Sequence, residues 1–71
     1  MSPRFIRASL LFSQRRYLEA ESELRAALKE GDASADVHAL LGLCLLNAGL
    51  VEEAKREVEQ ALSMEPNAQS Y

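Results

Sequence analysis

Apolar residues recur along this chain at helical spacing in four stretches, separated by short polar breaks. Ser2 followed by Pro3 is a start signal. A serine hydroxyl caps free backbone amides, and proline is tolerated where the first helical residue has no amide to satisfy. The pattern predicts a first helix from about Pro3 to Ser13, ending at "SQRRY". A second is predicted from about Tyr17 to Glu30, burying Leu18, Leu24, Ala27 and Leu28. Glu19, Glu21 and Glu23 near its start and Lys29 near its end suit the helix dipole. Gly31 suits the left-handed residue that closes a helix. Ser34 or Asp32 caps a third helix running to about Ala48, where Gly49 repeats the role of Gly31. A fourth runs from about Val51 to Met64 and stops before Pro66, which cannot continue it. Within it, Glu52 with Arg56 and Lys55 with Glu59 stand at the i,i+4 spacing of a helical ion pair. Loops this short join antiparallel neighbours. The expected fold is all-α.

The pattern also repeats. Shifted by 34 residues, "ASLLFSQRRYLEAESELRAALKEGD" falls on "GLCLLNAGLVEEAKREVEQALSMEP" without a gap. Leu11 meets Leu45, Glu19 meets Glu53, Ala20 meets Ala54, Glu23 meets Glu57, Ala27 meets Ala61 and Leu28 meets Leu62. Leu24 over Val58 and Ala8 over Gly42 keep the size class. Ala20, Ala27, Ala54 and Ala61 are small on otherwise apolar faces. This is the mark of positions where another helix backbone passes close, with Ala8 and Gly42 as their facing partners.

A helix-turn-helix unit of this period resembles the tetratricopeptide repeat family. The second unit carries the resemblance best, through Leu41-Gly42, Leu45, Gly49, Ala54, Val58, Ala61 and Pro66-Asn67. His38 stands where the family favours Trp. The first unit keeps Ala8, Leu11, Tyr17, Ala20, Leu24 and Ala27, but has Arg4 and Arg7 where apolar residues are usual, Arg15 for the turn glycine and Asp32 for the proline. The resemblance implies two stacked helical hairpins. Residues 1–34 and 35–68 would be the units, and 69–71 the start of a third unit or a tail.

In the family, ligands lie in the concave groove lined by the first helix of each unit. By resemblance that surface is Phe5, Ser9 and Phe12, flanked by Ser2 and Ser13, with Asp36, Ala39, Leu43, Leu46 and Asn47. Members that clamp a C-terminal carboxylate use Lys and Asn there. Phe5, Ser9 and Leu43 do not fit that role. The face is apolar and suits an apolar peptide or an amphipathic helix. The implied function is a protein–protein interaction module, part of a longer repeat protein. The alternative is an assembly piece whose apolar faces serve self-association as a homo-oligomer, or docking within a larger chain. The repeat logic also implies that Leu28 is covered by Val37 and Cys44. The same logic leaves Leu62 and Met64 on an open face, with Tyr71 placed to fold back over Leu62.

Composition narrows the field. The net charge is −3, unevenly spread. Residues 1–18 hold Arg4, Arg7, Arg15 and Arg16 and no acid; the rest holds four basic and eleven acidic residues, a net of −7. Four arginines make a small patch on an acidic chain, which argues against a nucleic-acid partner. A basic, acid-poor start resembles a mitochondrial presequence. The repeat, however, explains it as a surface helix with water-facing arginines; the expected location is cytoplasmic, with a mitochondrial one as the minor alternative. One cysteine forms no internal disulfide and fits a reducing compartment. The apolar runs fall far short of the roughly 20 residues a membrane-spanning helix needs.

No site chemistry assembles. His38 and Cys44, six apart, fall on different faces of one helix, so no metal set forms. Cys44 reads as a small buried hydrophobe with no cation to activate it. There is no glycine-rich phosphate loop and no Ser-His-Asp set, so neither a cofactor nor an enzyme activity is expected.

Overall fold

Local hydrogen bonds cap α1 and α3 and close the three turns in the computed structural model, which describes residues 2–64. The helices are α1 (Pro3–Ser13), α2 (Tyr17–Lys29), α3 (Ala35–Asn47) and α4 (Val51–Met64). Ser2 caps α1, its hydroxyl accepting from the Phe5 amide, and Ser34 caps α3 by accepting from the Val37 amide. Of the two caps open for α3, Ser34 takes the role. The second helix ends one residue earlier than expected, at Lys29.

Three turns share one construction. After α1, the Arg16 amide donates to the Leu11 carbonyl at 2.9 Å and the Arg15 amide to the Phe12 carbonyl at 2.9 Å. After α2, the Asp32 amide reaches Ala27 and the Gly31 amide reaches Leu28; after α3, Leu50 reaches Leu45 and Gly49 reaches Leu46. These paired bonds form a Schellman motif, which satisfies carbonyls that a helix end leaves open. The motif needs a left-handed residue. Gly31 (φ 95°) and Gly49 (φ 85°) supply it at low cost, whereas Arg15 (φ 63°) must adopt it with a side chain.

The turns fold α1 against α2 and α3 against α4 as antiparallel hairpins, and α3 packs along α2. The core holds Ala8, Ala20, Leu24, Ala27, Val37, Leu41, Cys44, Leu45 and Ala54, with Ala61 also buried. Phe5, Leu11, Phe12, Leu28 and Leu40 pack against it from the edge. The small residues act as expected. A Cβ built on Gly42 would lie 2.9 Å from Val58 Cγ2 and 3.3 Å from the Ala54 carbonyl oxygen, so α3 rides on the backbone of α4 there.

Some expectations change. Leu18, expected on the buried face of α2, is 72% exposed, because α1 and α3 both pack on the Ala20–Leu24–Ala27 stripe instead. Val58, which aligns with the fully buried Leu24, keeps 41% of its surface while its Cγ2 packs over Gly42. Arg4 is engaged rather than simply water-facing. Its Nη1 meets Glu23 at 3.0 Å and its Nη2 meets Glu30 at 3.0 Å, while Arg7 Nε lies 3.6 Å from Glu23. Neither Glu52–Arg56 nor Lys55–Glu59 is among the ion pairs of the described residues; Arg25 instead links Glu21 and Glu53.

Arg15 gives a direct test of the turn. Left-handed backbone costs a residue with a side chain roughly 1–2 kcal/mol. Arg15→Gly is expected to raise stability by about 1 kcal/mol in urea unfolding, while Gly49→Arg lowers it by a similar amount. A second test bears on the close packing. Ala54→Leu is expected to lower stability by about 1–3 kcal/mol through overpacking, while Ala39→Leu on the exposed side of α3 shifts it by less than about 0.5 kcal/mol. Urea midpoints of the two variants provide the comparison.

Candidate functional site

The eight residues expected to line one groove fall into three settings. Leu43 and Leu46 project from α3 with 44% and 52% of their surface open. Together with Gly42, Val51, Ala54, Lys55, Val58 and Glu59 they line a groove of about 270 Å³ between α3 and α4. Its floor is Gly42 and Ala54, the small residues at which α3 and α4 pack closely together. Its walls are Leu43 and Leu46 on one side and Val51 and Val58 on the other, with Lys55 and Glu59 at the rim.

Phe5 and Asp36 belong to a second hollow of about 340 Å³, with Ser2, Asp32 and Ser34. This one is polar and sits where the starts of α1 and α3 come together. The Ser2 hydroxyl, and then Ser34, hold the Asp32 carboxyl below its ordinary range, against the opposing effect of desolvation. Phe12 lines neither hollow. Its ring sits edge-on to Tyr17, centroids 5.2 Å apart at 70°, and both are half-buried. Ser9 is half-buried, Ala39 is exposed, and Asn47 is exposed with its side-chain amide donating to the Leu43 carbonyl at 2.8 Å.

Val51 and Val58 were not anticipated as site residues. Their alignment with Tyr17 and Leu24 was the available signal, but it speaks for burial, and only the structure shows which side of α4 stays open. Leu62 and Met64 are at exposed positions near the end of α4, and Tyr71 lies outside the described residues.

The titratable groups have structural roles. His38 Nδ1 lies 2.7 Å from Glu57 Oε1, tying α3 to α4 at the place where Arg4 and Glu23 tie α1 to α2. Glu30, then Glu23, make the Arg4 guanidinium hold its proton more firmly than usual. Burial, with a smaller contribution from the Glu21 charge, pushes the Cys44 thiol up to about 11. No group of three or more His, Cys, Asp or Glu residues that could hold a metal ion occurs among the described residues. No helix among them is long and apolar enough to cross a membrane.

Two hairpins with small residues at the crossings, left-handed turn residues and an open trough on the second hairpin define an α-helical repeat. The tetratricopeptide repeat family model matches residues 11–71, and the chain belongs to that family. Neither a curated protein nor a solved structure matches it. Repeats of this family are generally non-enzymatic and mediate protein–protein interaction.

The Cys44 environment has a measurable consequence. The folded thiol keeps its proton to about 11, whereas an unfolded one loses it near 9.0. Between those values the unfolded state binds fewer protons, so stability is expected to fall as pH rises from about 9 to 11 and to be unaffected by this group below. At pH 8, labelling of Cys44 by a disulfide reagent is expected to be slow in buffer and fast in urea.

Proposed function

We propose that this chain is a protein-binding module, not an enzyme, and that it takes an apolar helical segment of a protein partner along α3. Leu43 and Leu46 are the anchors, and the α3–α4 trough is the seat. The observation that carries this reading is the exposure of four branched apolar side chains, Leu43, Leu46, Val51 and Val58, around a floor of Gly42 and Ala54. A floor without long side chains admits a ridge of partner residues. An amphipathic helix supplies such a ridge at i, i+3, i+4 and i+7. Phe5, Ser9 and Phe12 on α1, with Asp36, Ala39 and Asn47 on α3, extend the surface toward the first hairpin. The units of the repeat are residues 1–34 and 35–68.

The test is a nuclear magnetic resonance titration with a synthetic Leu/Lys peptide that forms an amphipathic helix. Amide shifts are expected at Leu43, Leu46, Val51 and Val58. Leu46→Asp is expected to weaken binding by about tenfold, the loss of one buried leucine contact worth about 1.4 kcal/mol or more. Shifts confined to Arg56 and Gln60 on the outer face of α4 would overturn the reading.

A further inference from the structure

The α3–α4 trough has a counterpart 34 residues earlier, and there it is occupied. Its lining residues Gly42, Leu46, Val51, Ala54 and Val58 correspond to Ala8, Phe12, Tyr17, Ala20 and Leu24 of the first hairpin. On that hairpin α3 is the occupant. Leu24 is fully buried where Val58 is 41% exposed, and Phe12 and Tyr17 are half-buried where Leu46 and Val51 are exposed. The part of α3 that does the covering includes Val37, Leu40 and Cys44; Val37 and Cys44 are buried, Leu40 packs at the core's edge, and the Cys44 thiol feels the charge of Glu21 on α2.

The same shift applied to that covering face leads to α1. Val37, Leu40 and Cys44 correspond to Pro3, Ile6 and Leu10, which line a hollow of about 620 Å³ with Arg7 and Arg16. Ile6 and Leu10 are 57% and 59% exposed. Among the described residues, one molecule therefore carries an uncovered face of the kind that covers, and an uncovered trough of the kind that is covered.

We infer that copies of this chain associate head to tail, α1 of one copy seating in the α3–α4 trough of the next as α3 seats on the first hairpin. The inference rests on the reading of that trough as a helix seat and names its occupant. Charge favours the pairing at its rim. Residues 1–18 carry four arginines and no acid, and the rest of the chain has a net charge of −7. Arg4 and Arg7 already meet Glu23 and Glu30 within the molecule, so the cation facing the next copy is Arg16. At the internal seam Arg25 Nη2 meets Glu53 Oε2 at 3.7 Å. Between copies Glu59 takes the place of Arg25 and Glu19 that of Glu53. Arg16, 2.7 Å from Glu19 and on the rim of the α1 hollow, supplies the cation for both acids. The two faces differ, so the contact is heterologous and leaves one of each kind free at the ends of any assembly.

The experiment uses the full chain and two variants that each block one face. Ile6→Asp with Leu10→Asp blocks the covering face; Leu46→Asp with Val51→Asp blocks the trough. All four positions are exposed, and circular dichroism confirms that each variant keeps its helices; Leu46→Ser with Val51→Ser replaces the second pair if it does not. Light scattering of the unaltered chain is expected to give a mass that climbs with concentration past twice 7.9 kDa. Each variant alone is expected to stay at 7.9 kDa. Mixed in equal amounts they are expected to give a one-to-one dimer and nothing larger, because one intact seat and one intact helix face remain between them. A monomeric unaltered chain, a blocked variant that assembles as before, or a mixture that stays monomeric overturns the inference. If the unaltered chain is monomeric while the Leu/Lys peptide still shifts Leu43 and Leu46, head-to-tail pairing fails and the helix seat stands. If the peptide shifts nothing there, the seat itself fails.

Discussion

The molecule depends on how closely α3 approaches α4 at Gly42. With no side chain on Gly42, the α4 backbone comes within 3.3 Å of where a Cβ would stand, at the Ala54 carbonyl. That approach aligns Leu41 and Leu45 to be buried and fixes the angle at which Leu43 and Leu46 emerge on the other side. Ala8 and Ala20, both fully buried, occupy the same positions of the first hairpin. Close packing of this kind transmits shape. A methyl group added at one crossing must move a helix, because little empty space exists to absorb it.

The ion pairs follow from the same geometry. Glu23 and Glu57 hold equivalent places on α2 and α4, and each faces a nitrogen base on the partner helix, Arg4 or His38. One helical pair ends in a guanidinium that also reaches Glu30, the other in an imidazole that packs with little exposure. The first unit thus uses charge at the position where an aromatic or apolar residue would otherwise cover the hairpin. This keeps Ile6 and Leu10 of α1 as the open apolar positions of that face.

Periodicity and small-residue spacing were enough to read four helices and the hairpin pairing, with Ser2 as the cap of α1 and two candidates for that of α3. These features are local, and the 34-residue self-match supports the helices and the pairing, not the caps. What lay beyond the sequence was the sidedness of exposure. Leu18 and Leu24 both sit on apolar stripes of α2, and only the positions of α1 and α3 decide that one is open and the other sealed. Likewise Val58 and Leu24 align in the repeat, yet differ in burial because α3 covers one and nothing among the described residues covers the other to the same degree. The partner choice of Arg25, toward Glu53 across the hairpins, also depends on a distance that no spacing along one helix reveals.

The seam between α2 and α3 joins the hairpins, with α1 and α3 touching at few points. All three turns close through bonds between residues three to five apart, so each hairpin carries its own local instructions. Cooperativity of the whole chain therefore resides in one interface, built around Leu24, Val37 and Cys44. Weakening that seam separates one unfolding transition into two, much as removing a coupling between neighbours does in a one-dimensional chain. Topology of this local kind also favours fast folding, since little chain entropy is lost before the first contacts form.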